Sequence, residues 1–228
     1  LTIDVVAVAR LFEHSIKDAV MWPNPFGSPD NLPKAIAKRV GLNPKRLIYA
    51  EVGGETPQRL VNQMAEKIFL GEAESVLLTG SEALATIRSA KKSGIEFDWQ
   101  EEVGGNFEDQ WPDEIMADDY ERRHGITYPI QVYALLEQAR RNRLGLNLSD
   151  YRKIIANLLK PFTDVAEKNP YAQFPKSLKK EFIANFSDEN FPLCEPYSKW
   201  MVAQDAVNQG AAVVMTSIGS AVKHGIPE

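Results

Sequence analysis

IYAEVGGETPQRLVNQMAEKIFLGEAESVLLTGSEAL, Ile48 to Leu84, is the stretch that decides the fold. It reads as the end of an apolar strand, a break at Gly53-Gly54, an amphipathic helix, and a second apolar strand. Leu60, Val61, Met64, Ile68 and Phe69 recur at helical spacing. Thr56-Pro57 supplies an N-cap and a first helical residue, and Gly71 stops the run. The continuous apolar run SVLLTG predicts a strand buried on both faces, followed by a helix from Ser81 through Lys92.

Working outward, Ile3 to Val8 is a β-branched run that reads as a buried strand, and MWPNPFGSPDN as an irregular loop. Asn31 caps a helix over LPKAIAKRV with Pro33 in its first turn, Gly41 ends it, and the strand Arg46 to Val52 leads into the quoted stretch. Strand alternating with helix predicts a layered α/β domain over residues 1–94. Ile95 to Glu121 then carries many carboxylates, five aromatics and no Lys or Arg, and reads as a long solvated loop. Ile130 to Lys160 predicts two helices broken near Gly145, the second capped by Ser149. QGAAVVMTSIGSAVKHG returns to strand and helix, so 95–200 reads as a mainly helical insertion and 201–228 as the return to the first domain.

The 228 residues are 44% hydrophobic with a formal charge of -5, enough apolar content for a sizeable core and the wrong sign for a nucleic-acid partner. The single cysteine, Cys194, allows no intrachain disulfide, which points to a reducing, cytoplasmic setting, and no apolar run is long enough to span a bilayer. The chain opens on Leu1 inside an apolar run, so the natural N-terminus is expected upstream.

What Gly53-Gly54-Glu55 does is the central question. Backbone N–H groups at a helix start favour anions, but neither GxGxxG nor GxxxxGK[ST] is present, and the GxSxG of a hydrolase elbow is absent too. The plain reading is a φ-positive turn that brings the helix close beneath the sheet, with Glu55 complementing the helix dipole. The functional alternative makes Glu55 a general base or an acceptor for substrate.

The order of these elements resembles the thiolase superfamily, and within it the thiolase-like proteins related to the sterol-carrier thiolases. The resemblance rests on Gly71-Glu72-Ala73 closing the long helix, the strand Ser75 to Leu78 running into Thr79-Gly80-Ser81-Glu82, Gln209-Gly210-Ala211-Ala212, and Ile226-Pro227. It implies an α/β/α thiolase-like N-terminal domain with an inserted loop domain, acyl-CoA or coenzyme A as ligand with no tightly bound cofactor, acyltransfer in lipid metabolism, and a homodimer paired through the strand that ends at the elbow. Counting back from Gly71 puts Gly54 where the family carries its nucleophilic cysteine, whose thiolate takes an acyl group from coenzyme A. The elbow therefore reads as emptied of its nucleophile. The family's C-terminal repeat, with its second cysteine and activating histidine, has no counterpart in this stretch, and His224 matches no family motif.

Other candidates are weighed against plainer roles. Arg140, Arg141, Arg143, Arg152 and Lys153 fall on the insertion that in the family covers the pantetheine and nucleotide end of coenzyme A, which makes Arg140, Arg141 and Arg143 candidate phosphate contacts, while a solvated helix face is the plainer reading of the cluster. Cys194 reads as a structural thiol, and His14 and His124 stand without the partners of a metal site. Three functions follow: an acyl-CoA-binding protein of the acetyl-CoA acyltransferase class lacking its cysteine, a non-catalytic partner or scaffold subunit of a thiolase-type complex, or an enzyme of altered chemistry with Glu55 as base.

Overall fold

The computed structural model describes residues 2–15, 24–111 and 118–227. The chain divides into two compact units, Leu1–Asp113 with Ala206–Glu228, and Glu114–Asp205.

The first unit is built on a five-stranded sheet. Its strands are β1 (Val5–Val8), β2 (Arg46–Tyr49), β3 (Ser75–Ala83), β4 (Glu108–Asp109) and β7 (Asn208–Thr216), in the order β4-β2-β1-β3-β7. β1 to β4 run parallel and β7 antiparallel to β3. Helix α1 (Leu32–Arg39) joins β1 to β2 and α2 (Thr56–Phe69) joins β2 to β3. Alternate residues of each strand face alternate layers. Val5, Ala7, Ile48, Ala50, Val76 and Leu78 pack with Leu60 and Met64 of α2. Ile3, Val6, Val8 and Tyr49 form the opposite core with Ala37 of α1. The α/β/α layering is the one read from the alternation of strand and helix, and β1 is buried at every position.

Caps explain the boundaries. The Asn31 side chain accepts from Lys34 N–H at 3.1 Å, Pro33 lies in the first turn of α1, and Gly41 follows at φ 70°. Gly80 is required by close approach, since a Cβ there would stand 3.0 Å from the Ala9 Cβ. Elsewhere boundaries move. β3 continues to Ala83, so helix α3 (Leu84–Ser93) starts three residues after Ser81, because Ser75 to Ala83 pairs residue for residue with β7. β2 ends at Tyr49 rather than Val52. α2 is less buried than its apolar residues predict: Thr56, Leu60 and Met64 are covered, while Phe69 is 88% exposed.

Two further corrections concern the sheet's edges. The acidic stretch after Gly94 is, as far as residue 111, fastened to this unit rather than loose or part of the second unit. Phe26, Phe97 and Trp99 cluster at 5.2–5.4 Å, Asp30 accepts from Val103 and Gly104 N–H, and β4 pairs with β2. Arg46 grips Glu108 with two hydrogen bonds of 2.7 and 2.9 Å, which holds the Glu108 carboxyl below its ordinary pKa. As a result β2, through which two copies were expected to pair, has neighbours on both sides: β1, and β4 at Ile48 and Tyr49. Residues 112–117 of that stretch, and the start of MWPNPFGSPDN, lie outside the described residues.

The second unit contains α4 (Asp119–Arg123), α5 (Pro129–Arg143), α6 (Leu148–Glu167), α7 (Lys180–Ala184) and a two-stranded hairpin of β5 (Pro192–Cys194) and β6 (Tyr197–Ser198). Its core gathers Tyr151, Ile155, Ile183 and Met201. α6 is capped by Asn147, whose side chain accepts from Asp150 N–H at 2.9 Å, two residues before the cap assigned to Ser149. Helix α8 (Ile218–Lys223) closes the first unit's sequence.

Candidate functional site

β2 ends at Tyr49, and α2 begins at Thr56 with Pro57 behind it and Glu55 in the capping position. Gly53, Gly54 and Glu55 between them are exposed. Neither glycine has positive φ, so the expected φ-positive turn is not what they provide. A Cβ on Gly53 would meet the Glu55 carboxylate at 2.7 Å, so Gly53 gives that side chain room to fold back. A Cβ on Gly54 would meet nothing within 4 Å. The Glu55 side chain makes no capping hydrogen bond, although it stands where an anion complements the helix dipole. The hydroxyl of Thr56, a residue 1% exposed, is buried without a hydrogen-bond partner.

At the C-terminal ends of β1, β2 and β4, where ligands of open α/β sheets bind, lies a cluster that no sequence motif marks. Arg10 is 8% exposed; it donates to Ala50 O at 3.0 Å and Tyr49 O at 3.3 Å and pairs with Asp109. Its guanidinium lies 4.2 Å from the Tyr49 ring centroid and 4.4 Å from that of Trp111. The Tyr49 hydroxyl accepts from Leu11 N–H at 3.1 Å and stands 2.8 Å from His14 Nδ1. The hydroxyl can donate to Nδ1 or accept from it, and Nε2 lies 3.3 Å from Ser28 Oγ. Burial pushes Tyr49 up to about 12, lowers His14 and raises Glu82, whose carboxylate accepts from Phe12 N–H at 2.7 Å. Tyr49–His14–Ser28 is thus a short hydrogen-bonded chain able to hold or pass a proton. In the sequence His14 stands alone because its partners are 35 and 14 residues away.

The predicted arginines do not converge. Arg140 donates to the Tyr151 hydroxyl at 2.9 Å, and Arg141 to Gln138 and to Leu146 O, both at 2.8 Å, closing the end of α5. Arg143 is exposed. Arg152 is not on a solvated face: at 3% exposure it donates to Ala184 O and Pro196 O and lies 3.9 Å from the Phe186 ring. Lys153 pairs with Asp150. Cys194 is half-buried in β5, His124 ends α4 against Tyr120, and His224 ends α8. Among the described residues no group of His, Cys, Asp and Glu could hold a metal ion, and no helix is long and apolar enough to cross a membrane.

No family model and no curated protein matches the sequence. Among solved structures, a monomeric SCP2-thiolase-like protein type 1 from Mycobacterium smegmatis is 33% identical, with a TM-score of 0.73 over 99% of this chain. The Ltp2-ChsH2(DUF35) aldolase matches at 16% identity and a TM-score of 0.55 over 95% of the chain. The chain spans 38% and 45% of the lengths of these two chains. The monomeric state of the first gives no support to the homodimer expected from the sequence. The order of strands, the helix that follows the Gly53-Gly54 elbow and the likeness over nearly the whole chain agree: the protein has the thiolase-like fold of the SCP2-thiolase-like proteins.

Proposed function

We propose that the chain belongs to an acyl-CoA-binding protein of the acetyl-CoA acyltransferase class that does not use the covalent thioester chemistry of a cysteine at this elbow. The observation that carries the reading is Gly54, exposed at the foot of α2 with open space where a side chain would project. Thiolester exchange through the protein needs a nucleophile there, and glycine has none. Glu55, next to it, is a weak acceptor for an acyl group in water, and its carboxylate serves better as a base or as an acceptor of a hydrogen bond. Arg140, Arg141 and Arg143 remain the candidates for coenzyme A phosphates, with Arg143 the least engaged in contacts of its own unit.

The test is incubation with acetyl-CoA followed by intact and peptide mass analysis. No acyl adduct is expected between Ile48 and Leu60, and coenzyme A should bind reversibly. A stoichiometric acetyl mass on Glu55 or Thr56 would overturn the proposal.

A second reading is a non-catalytic subunit whose chemistry comes from another chain. It draws on the fold shared with the Ltp2-ChsH2(DUF35) aldolase, a two-component assembly by name. Purification of the native protein with a stoichiometric second polypeptide favours this reading, and turnover by the isolated protein removes it.

A further inference from the structure

Three side chains that the elbow does not use stand in line near the C-terminal ends of β1 and β2. His14 Nε2 lies 3.3 Å from Ser28 Oγ, and His14 Nδ1 lies 2.8 Å from the Tyr49 hydroxyl. A hydroxyl, an imidazole within its reach and a third group that orients the imidazole is the arrangement by which serine is activated on unrelated folds. The outer two are themselves anchored. The Tyr49 hydroxyl accepts from Leu11 N–H at 3.1 Å, and its ring lies 4.2 Å from the Arg10 guanidinium and meets the His14 ring edge-on, with centroids 5.9 Å apart. Ser28 stands between Gly27 and Pro29. Gly27 has φ 77° and no room for a Cβ, which would meet Gln100 at 2.7 Å, and its carbonyl accepts from Asn24 Nδ2 at 2.8 Å. Pro29 bridges to Glu101. The hydroxyl therefore sits on a turn pinned on both sides.

Both reacting groups are open to solvent: Ser28 is half-buried, and the His14 side chain is 35% exposed. Burial lowers His14, and Arg10 lowers it further against the opposing pull of Glu13 and Asp109, so the imidazole is neutral at neutral pH, the form a base requires. Tyr49, pushed up to about 12, keeps its proton, and Glu82 of β3 is raised by burial. Glu13 Oε1, which has no hydrogen-bond partner, lies 3.7 Å from Nε2 and offsets the charge of an imidazolium when one forms. We propose that Ser28 is the nucleophile of a hydrolytic site for small activated acyl esters and thioesters, with His14 as general base and Tyr49 as the residue that positions it. In the reactive tautomer Nδ1–H donates to the Tyr49 hydroxyl and the lone pair of Nε2 faces Ser28. The bond from Ser28 Oγ to the acyl carbon forms as the hydroxyl proton passes to Nε2, and the leaving alkoxide or thiolate departs with that proton. Water then gives a proton to Nε2 and its oxygen to the acyl carbon; the bond to Oγ breaks, Oγ takes the proton back, and the carboxylic acid is released. The site is separate from the Gly53-Gly54 elbow, and the inference does not depend on coenzyme A binding there.

A fluorophosphonate ester tests it on the purified protein, because a base-activated serine displaces its fluoride and an ordinary surface serine does not. A single label is expected, on the peptide that holds Ser28, and hydrolysis of p-nitrophenyl acetate should disappear in Ser28→Ala. The labelling rate should rise with pH through a midpoint below 6.5 and level off by about pH 7.5, a unit above the unperturbed imidazole. His14→Ala should label at least ~100-fold more slowly, with added imidazole restoring part of the rate. Tyr49→Phe should lower the maximal rate ~3–10-fold, the worth of one neutral hydrogen bond, and leave the probe concentration at half-maximal rate unchanged. Labelling of the wild type decides whether or not a variant folds. No label on Ser28, an unchanged rate in His14→Ala, or a rate still climbing above about pH 8 would each overturn the proposal.

Discussion

Placing a thiol at the elbow by Gly54→Cys measures how far this helix start favours a thiolate. The backbone permits the substitution, since Gly54 does not have positive φ and its Cβ would meet no atom within 4 Å. Two fields then act on the sulfur. The macrodipole of the 14-residue α2 favours the thiolate by about 0.3–1 kcal/mol at an exposed position, which lowers a reference pKa of ~8.5 by about 0.2–0.7. The Glu55 carboxylate opposes it: a unit charge at roughly 6 Å in water contributes about 0.7 kcal/mol, a rise of about 0.5. The two nearly cancel. The variant thiol should titrate at about 8.3–8.8, and adding Glu55→Gln should bring it down by about half a unit.

The assay is the pH dependence of alkylation rate in a Cys194→Ser background, read by peptide mass at residue 54 so that folding and modification are followed together. A single-variant thiol at or below about 7.5 would refute the balance, because it would need a positive environment that neither the helix nor its exposed neighbours supply. Loss of the folded state would refute the open space above Gly54.

Three other outcomes are expected. Thr56→Val should raise stability by about 1–2 kcal/mol in chemical denaturation, because a buried hydroxyl without a partner is exchanged for a methyl group; a loss of stability would mean the hydroxyl is satisfied. Arg10→Met should cost about 2–4 kcal/mol and shift the Trp111 emission, since it leaves the Ala50 carbonyl and the Asp109 carboxylate without this donor and removes one of two donors to Tyr49 O; a neutral result would contradict the cluster. His14 is lowered below 6.5 by burial, so the unfolded chain takes up its proton first as pH falls. Its contribution is therefore complete above 6.5 and lost as pH falls through that value toward the folded one. The stability gap between wild type and His14→Gln should widen from pH 5 to pH 7, and the half-buried Glu82, whose own contribution has the opposite sign, cancels in that difference. A gap that narrows would show that the imidazole is held protonated.

Local signals made the first unit legible. The apolar run at Val5 to Val8, the cap at Asn31 with Pro33 behind it, and the 3.6-residue spacing of Leu60 and Met64 each act within a few residues, and each predicts its element. The misses share a long-range cause. Ser81 begins a helix by its cap chemistry, yet the opposing strand, with Gly210 across from it, keeps Ser81 extended; the partner lies 129 residues on. The acidic stretch reads as solvated until Arg46 and Asp30 reach it from 62 and 73 residues away. Arg10 gives no signal at all, being one basic residue after a strand, with partners in two later segments, Tyr49-Ala50 and Asp109 to Trp111.

The same distinction runs through the candidate site. The break at Gly53-Gly54 is readable because a glycine pair before Thr56-Pro57 is a local signal for the end of a strand and the start of a helix. The flank of α2 is not readable: Thr56, Arg59 and Gln63 look like the ordinary polar positions of an amphipathic helix, and only tertiary contact reveals that an oxygen or nitrogen on each is buried without a partner. The polar face of an amphipathic helix meets either water or protein, and which of the two it meets is set by segments distant in the sequence.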